Sequence, residues 1–160
     1  MVSSARAAVA AVVDPEIQAL TIEELGILRA VAVDPDSGLV TVTITPTYTG
    51  CPAMDVIRAD IRAALRTAGH PDAQVVTELR AAWSTDWISE SGRAKLAAAG
   101  IAPPGPARHP PGPTPLTLTV RCPWCGSPDT EMLSRFGSTA CKALWRCRAC
   151  AEPFDQIKAL

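Results

Sequence analysis

The sequence predicts an α+β domain, a small three-stranded sheet with helices, followed by a separate all-β metal ribbon. Three observations carry that expectation: a hairpin pattern running into an amphipathic helix, a block of prolines after residue 102, and two Cys-x-x-Cys pairs beyond it. The 160 residues suffice for two small domains, and 48% hydrophobic with 19% charged residues is the composition of a chain with a core to bury.

Ser3–Val13 reads as a short alanine-rich helix, broken at Asp14-Pro15 because proline disfavours helix in the residue before it. A helical turn is expected from Thr21, whose hydroxyl can cap it with Glu24 three residues on. Ile27–Val33 leads into the turn sequence Asp34-Pro-Asp-Ser-Gly38, and in Leu39–Thr45 the apolar Val40, Val42 and Ile44 alternate with threonines. The two runs form a hairpin.

From Pro52 the period changes. Met54, Ile57, Ile61, Leu65 and Ala68 fall on one helical face, opposite Asp55, Arg58, Arg62 and Arg66, and Gly69 ends the helix. Ala73–Leu79 reads as a third strand and Ser89–Ala99 as a last helix closed by Gly100. Trp83 and Trp87 are expected as packing anchors rather than a ligand-stacking pair.

Seven of the 15 prolines fall between Pro103 and Pro115, which favours extended backbone and marks a semi-rigid linker. The expected division is therefore a first domain over 1–101, a linker over 102–115 and a ribbon over 116–160, with short strands at 116–121, 130–136, 143–146 and 154–157.

The formal net charge of −1 hides an asymmetry: residues 1–102 carry net −4 and residues 103–160 net +3. That excess is mild for a phosphate-binding surface, so nucleic acid is not an expected partner, although Arg121, Lys142, Arg146 and Arg148 could line a basic edge. No apolar run reaches the roughly 18 residues of a membrane span, and Met1–Val13 meets Asp14-Pro15 without a cleavage site, so a cytoplasmic location and no membrane partner are expected. Neither His70 nor His109 follows a glutamate by three residues, which excludes the Glu-x-x-His pairs of a carboxylate di-iron oxygenase. With no acid–base pair or phosphate-cradling glycine loop either, the chain reads as not itself an enzyme.

Cys122-Pro-Trp-Cys125 and Cys147-Arg-Ala-Cys150 lie 21 residues apart. A hairpin between two such loops brings four sulfurs into tetrahedral coordination, so Cys122, Cys125, Cys147 and Cys150 are expected to bind a structural zinc. Iron in a rubredoxin-like site is the second reading, and disulfides rank last in a reducing compartment. A closed four-thiolate shell has no place for substrate. Gly126 follows one pair and permits the positive φ such a knuckle uses, whereas Ala151 follows the other. Cys141 reads either as a small buried hydrophobe or as an alternative ligand or partner contact.

Cys51 lies between the second strand and the helix. With Pro52 as the first helical residue, Cys51 is the expected N-cap, where free amides lower a thiol pKa. Position alone leaves two readings open, a ligating or reactive thiolate and an inert buried cysteine.

Asp14-Pro-Glu-Ile17, Leu25-Gly-Ile27 and Thr45-Pro-Thr-Tyr-Thr-Gly-Cys-Pro-Ala-Met54 resemble the MIP18-like iron–sulfur assembly domain, also called DUF59. The ribbon, with Cys122-Pro-Trp-Cys-Gly-Ser and Phe136-Gly-Ser-Thr-Ala-Cys-Lys-Ala-Leu-Trp-Arg-Cys147, resembles that of the PaaD family of phenylacetyl-CoA epoxidase subunits. The resemblance implies an accessory or maturation factor of that multicomponent epoxidase in phenylacetate degradation. It maps the family's distinctive cysteine to Cys51, as a transient holder of iron or an iron–sulfur cluster, and implies the reductase or oxygenase subunits as partners. One thiolate cannot hold a cluster stably, so transfer needs a second Cys51 from a homodimer or ligands from the client. The alternative is a non-catalytic structural subunit that docks through its zinc ribbon.

Overall fold

The computed structural model describes residues 2–107 and 120–159, and the chain divides into two compact units, Met1–Trp83 and Ser84–Leu160.

In the first unit, helix α1 (Val2–Ala10) buries Ala5 and Val9. The chain then turns at Asp14, whose carboxylate accepts the backbone N–H of Glu16 at 2.9 Å and of Ile17 at 2.7 Å. The capping box at Thr21 forms reciprocally, Glu24 N–H to Thr21 Oγ1 at 3.2 Å and Thr21 N–H to Glu24 Oε2 at 3.1 Å. No helix propagates from it: a single turn closes at Gly26, whose φ of 75° only glycine adopts freely.

Strands β1 (Leu28–Val33) and β2 (Val40–Ile44) form the expected antiparallel hairpin. Val40, Val42 and Ile44 are fully buried while Thr41 and Thr43 are half-exposed, as the alternation requires. Helix α2 (Ala53–Thr67) covers the buried face with Met54, Ile57, Ile61 and Leu65; Ala68, expected on that face, is the exposed C-cap. Strand β3 (Ala73–Thr77) pairs parallel with β2, so α2 is a crossover and the sheet order is β1-β2-β3. Trp83 closes the unit as a packing anchor, 6% exposed, its Nε1–H donating to the Leu25 carbonyl at 2.9 Å.

The second unit starts with a 3₁₀ turn (Thr85–Trp87) and helix α3 (Glu90–Ala98), capped by Ser89, whose hydroxyl accepts the Gly92 N–H at 3.0 Å. The two residues of β4 (Ile101–Ala102) then pair parallel with β7 (Pro153–Ile157), in a four-stranded sheet β4-β7-β6-β5 completed by β6 (Lys142–Cys147) and β5 (Thr130–Ser134). Its core gathers Ala102, Cys122, Ala143, Trp145, Cys147 and Phe154.

This corrects the expected boundary. Residues 84–102, assigned in sequence to the first domain, cluster with the ribbon because β4 extends its sheet and Ala102, 2% exposed, enters its core. The expected linker also starts too early: Arg93 donates to the carbonyls of Pro104 at 2.8 Å and Thr85 at 2.7 Å, and Ala107 N–H donates to Asp86 at 3.0 Å. The rest of that linker and most of the expected 116–121 strand lie outside the described residues. Gly100 has φ of 76°, and the indole of Trp124 occupies the space a Cβ there would take. Among the described residues no helix is long and apolar enough to cross a membrane.

Candidate functional site

The two Cys-x-x-Cys loops converge as their spacing predicts. The sulfurs of Cys122, Cys125, Cys147 and Cys150 all lie within 4.8 Å of one another, with Cys122 to Cys150 at 3.8 Å and Cys125 to Cys147 at 3.5 Å. Four thiolates about 2.3 Å from a central ion at tetrahedral corners would stand about 3.8 Å apart, so the donor set fits zinc. All six cysteines are free thiols.

Each loop is built by the same backbone device. Cys122 N–H donates to the Ser127 carbonyl and Cys147 N–H to the Glu152 carbonyl, both at 3.0 Å, and the residue after the last cysteine takes a positive φ, 74° at Gly126 and 65° at Ala151. Ala151 is the one non-glycine residue with positive φ among those described. Backbone N–H groups then point at the sulfurs. The amide of Cys150 foremost holds the Cys147 thiol down at about 7, whereas at Cys150 the favourable Glu152 amide is outweighed by burial and the neighbouring sulfurs, which push it up to about 12. The tetrad thus resists full ionisation until a cation compensates it.

Arg146 and Arg148, both about half exposed, pair with Glu131 at 2.7 and 2.9 Å, Arg148 also sits 3.8 Å from Asp129, and Lys142 is 5% exposed. Of the expected basic edge, Arg146 and Arg148 are thereby matched by acidic partners at the surface and Lys142 is buried. Cys141 stands apart from the tetrad, buried and 3.0 Å from the Thr139 hydroxyl.

Cys51 occupies a different setting. The loop from Thr45 to Pro52 is anchored at one end by Thr45 N–H to the Ile27 carbonyl at 2.9 Å and turns at Gly50, φ 85°. The residue immediately before α2 is Pro52, not Cys51. The sulfur still accepts the Ala53 N–H and a hydrogen bond from Tyr48, yet its pKa is raised, against the sequence expectation. Burial is the main cause, and the carboxylates of Glu16 and Asp14 add to it. Their contribution was invisible in sequence because they lie 35 or more positions upstream; Tyr48, adjacent in the loop, went unassigned because nothing in the pattern aimed its hydroxyl.

Cys51 opens onto a cleft of about 390 Å³, bordered by Met54, Asp55, Arg58, Thr77 and Leu79. Arg58, one of the lining residues, donates to Asp55 at 2.7 Å and to the Thr77 hydroxyl at 2.8 Å. Beside it the hydroxyl of Thr45, 2% exposed, has no hydrogen-bond partner and borders a cavity of about 140 Å³ next to Trp83.

Known proteins match both units. Residues 3–77 match the family model described as an iron–sulfur cluster assembly protein, and residues 107–158 match the PaaD zinc beta ribbon domain. A protein of Escherichia coli, named as one of the subunits of a 1,2-phenylacetyl-CoA epoxidase, is 45% identical over 148 residues, 92% of this chain and 86% of that protein. Among solved structures, the DUF59 domain of unknown function from Bacillus anthracis superposes with a TM-score of 0.54 at 27% identity, covering 59% of this chain and 90% of that one. A conserved hypothetical protein from Thermotoga maritima gives 0.51 at 25% identity, covering 60% and 93%. The iron–sulfur assembly fold in the first unit, the four-cysteine ribbon in the second and a relative matched along both show that this chain belongs to the PaaD family of phenylacetyl-CoA epoxidase subunits.

Proposed function

We propose that the chain is an accessory maturation factor of a phenylacetyl-CoA epoxidase, in which Cys51 transiently holds iron or an iron–sulfur unit destined for a client subunit. The observation that carries this reading is the setting of Cys51: a half-buried thiol at the mouth of a cleft, with Glu16 and Asp14 close enough to raise its pKa. At neutral pH such a thiol rests protonated. An arriving iron species displaces the proton, and the carboxylates that disfavoured the lone thiolate then favour the cation. With one thiolate and hard oxygen donors nearby, the site binds weakly enough to release its cargo, which a carrier must do.

The ribbon has the opposite role. Cys122, Cys125, Cys147 and Cys150 hold zinc, which stabilises the β4-β7-β6-β5 sheet and the surface that docks the client, the reductase or the oxygenase subunit. The chain itself has no catalytic part in this scheme.

The test is co-expression of the epoxidase components with the Cys51→Ser variant. Folded variant at normal levels, with client subunits under-loaded in iron and weakly active, is the expected result. Full loading and activity would leave the chain as a structural subunit.

A further inference from the structure

Strand β3 is an edge strand. Val40 N–H donates to the Asp72 carbonyl and Glu78 N–H to the Ile44 carbonyl, so the even-numbered residues of β3 bond to β2. The alternation of a parallel ladder then turns the N–H and C=O groups of Ala73, Val75 and Thr77 away from β2, where no strand among the described residues meets them. Val76 and Leu79, 38% and 64% exposed, lie on this edge. Most edges are blunted by charge along the strand; here the charges stand only at its ends, Asp72 before it and Glu78 and Arg80 after it.

We infer that this edge pairs antiparallel with β3 of a second copy of the chain, and that the pairing joins the two Cys51 clefts across the two-fold axis. The end charges select the register. If Val75 lay on the axis, Asp72 would face the second copy's Glu78, twice over, setting like charges opposite each other. With Val76 on the axis, Asp72 faces the second copy's Arg80, Gln74 faces Glu78, and the two exposed Val76 side chains meet. Neither Asp72 nor Arg80 has an ion-pair partner among the described residues, and both are exposed. The odd-numbered residues, whose peptide groups point outward, fall opposite one another in this register and exchange hydrogen bonds.

The consequence for the site follows from Thr77, which lines the Cys51 cleft and stands one position from the axis. Ideal antiparallel spacing places the two Thr77 Cα atoms about 8 Å apart, so each cleft opens beside its counterpart on the helix-covered side of a continuous six-stranded sheet. Resting on the carrier reading above, the dimer supplies the second thiolate that one Cys51 lacks. A single strand pair buries little area, so association is weak and concentration-dependent until a shared ion tightens it.

Sedimentation equilibrium of the full chain at high micromolar concentration, without client, tests the edge. The unaltered chain should sediment as a dimer, Arg80→Asp and Val76→Lys as monomers, and the double exchange Asp72→Arg with Arg80→Asp should restore the dimer. These positions are exposed and none is in the Cys51 cleft, so circular dichroism should read the same fold in all. A monomeric unaltered chain, or a dimer that survives both single changes, overturns the pairing. Anaerobic addition of iron(II) should strengthen association several-fold in the unaltered chain and leave Cys51→Ser unmoved; an equal response in both overturns the shared site. Because sedimentation involves no client, failure of the carrier role in co-expression and failure of this interface are separate results.

Discussion

The two sulfur sites of this chain handle the same element in opposite ways. In the ribbon, four sulfurs stand 3.5 to 4.8 Å apart and amides from both knuckles point at them, so a bound ion would be enclosed on all sides. At Cys51 one sulfur faces a cleft, with two amide or hydroxyl donors, and carboxylates oppose its ionisation. Retention needs redundancy of ligands whose combined charge a cation compensates; a single sulfur at an open cleft offers no such redundancy. The difference teaches that the backbone at a cysteine says less about its use than the number of ligands and the sign of the charge around it.

The largest effect that can break the contrast is loss of a ribbon ligand. Cys147→Ala should abolish metal binding and unfold residues 120–159, since coordination supplies on the order of 10 kcal/mol to such a module, while Met1–Trp83 stays folded. Elemental analysis with amide NMR dispersion reads both. Acidification should do the same reversibly: the ligands bind metal as thiolates, so protons compete and zinc is released as pH falls, measured with a chromophoric chelator.

Next is Trp83→Phe, which should cost the metal-independent unit about 1–2 kcal/mol by leaving the Leu25 carbonyl without its indole donor. A lowered urea midpoint for that unit, with ribbon metal content unchanged, checks it. Smaller again is Ala151→Gly, expected to stabilise the ribbon by about 1 kcal/mol because alanine at φ 65° carries a left-handed strain that glycine lacks. Thermal melts of the zinc-loaded chain measure this.

The smallest stability effect belongs to Cys51→Ser, within about 1 kcal/mol, since the hydroxyl can still accept the Ala53 N–H. Its thiol also carries a pH signature. With the folded pKa raised above the unfolded value, the unfolded chain loses its proton first as pH rises, so this group's contribution to stability is full below about pH 8.5 and declines above it. Alkylation of Cys51 in the folded, zinc-loaded chain should accordingly be slower at neutral pH than that of a small-molecule thiol and rise only in the alkaline range.

Local chemistry was legible wherever it was written in neighbouring residues. The Val40-to-Thr45 alternation, the α2 face and the metal knuckles all depend on periods or spacings of a few positions, and even the awkward alanine after Cys150 shows as a place where glycine would suit the backbone better. Long-range pairing left no such trace. The two residues of β4 have no period of their own and join a strand about fifty positions later, so the unit boundary fell at Trp83 rather than in the prolines. The Cys51 shift failed for the same reason, because the helix start is local and the opposing carboxylates are not. The Thr21 box shows the converse: the local signal was right, but a glycine five residues on stopped its growth.

The position of β4 also bears on how the chain is made. A ribosome adding roughly 5–20 residues per second delivers Ile101 and Ala102 several seconds before β7 exists. Until then Ala102 lacks the strand that buries it, and α3, whose Leu96 is fully buried in the finished unit, leads to an unseated end. Met1–Trp83 can settle during synthesis on its own contacts, whereas the sheet of the second unit waits for its last strand. If that sheet needs its four-cysteine cluster filled in order to hold, metal supply acts late in translation. A chain starved of metal would then present a finished first unit joined to an unfinished second.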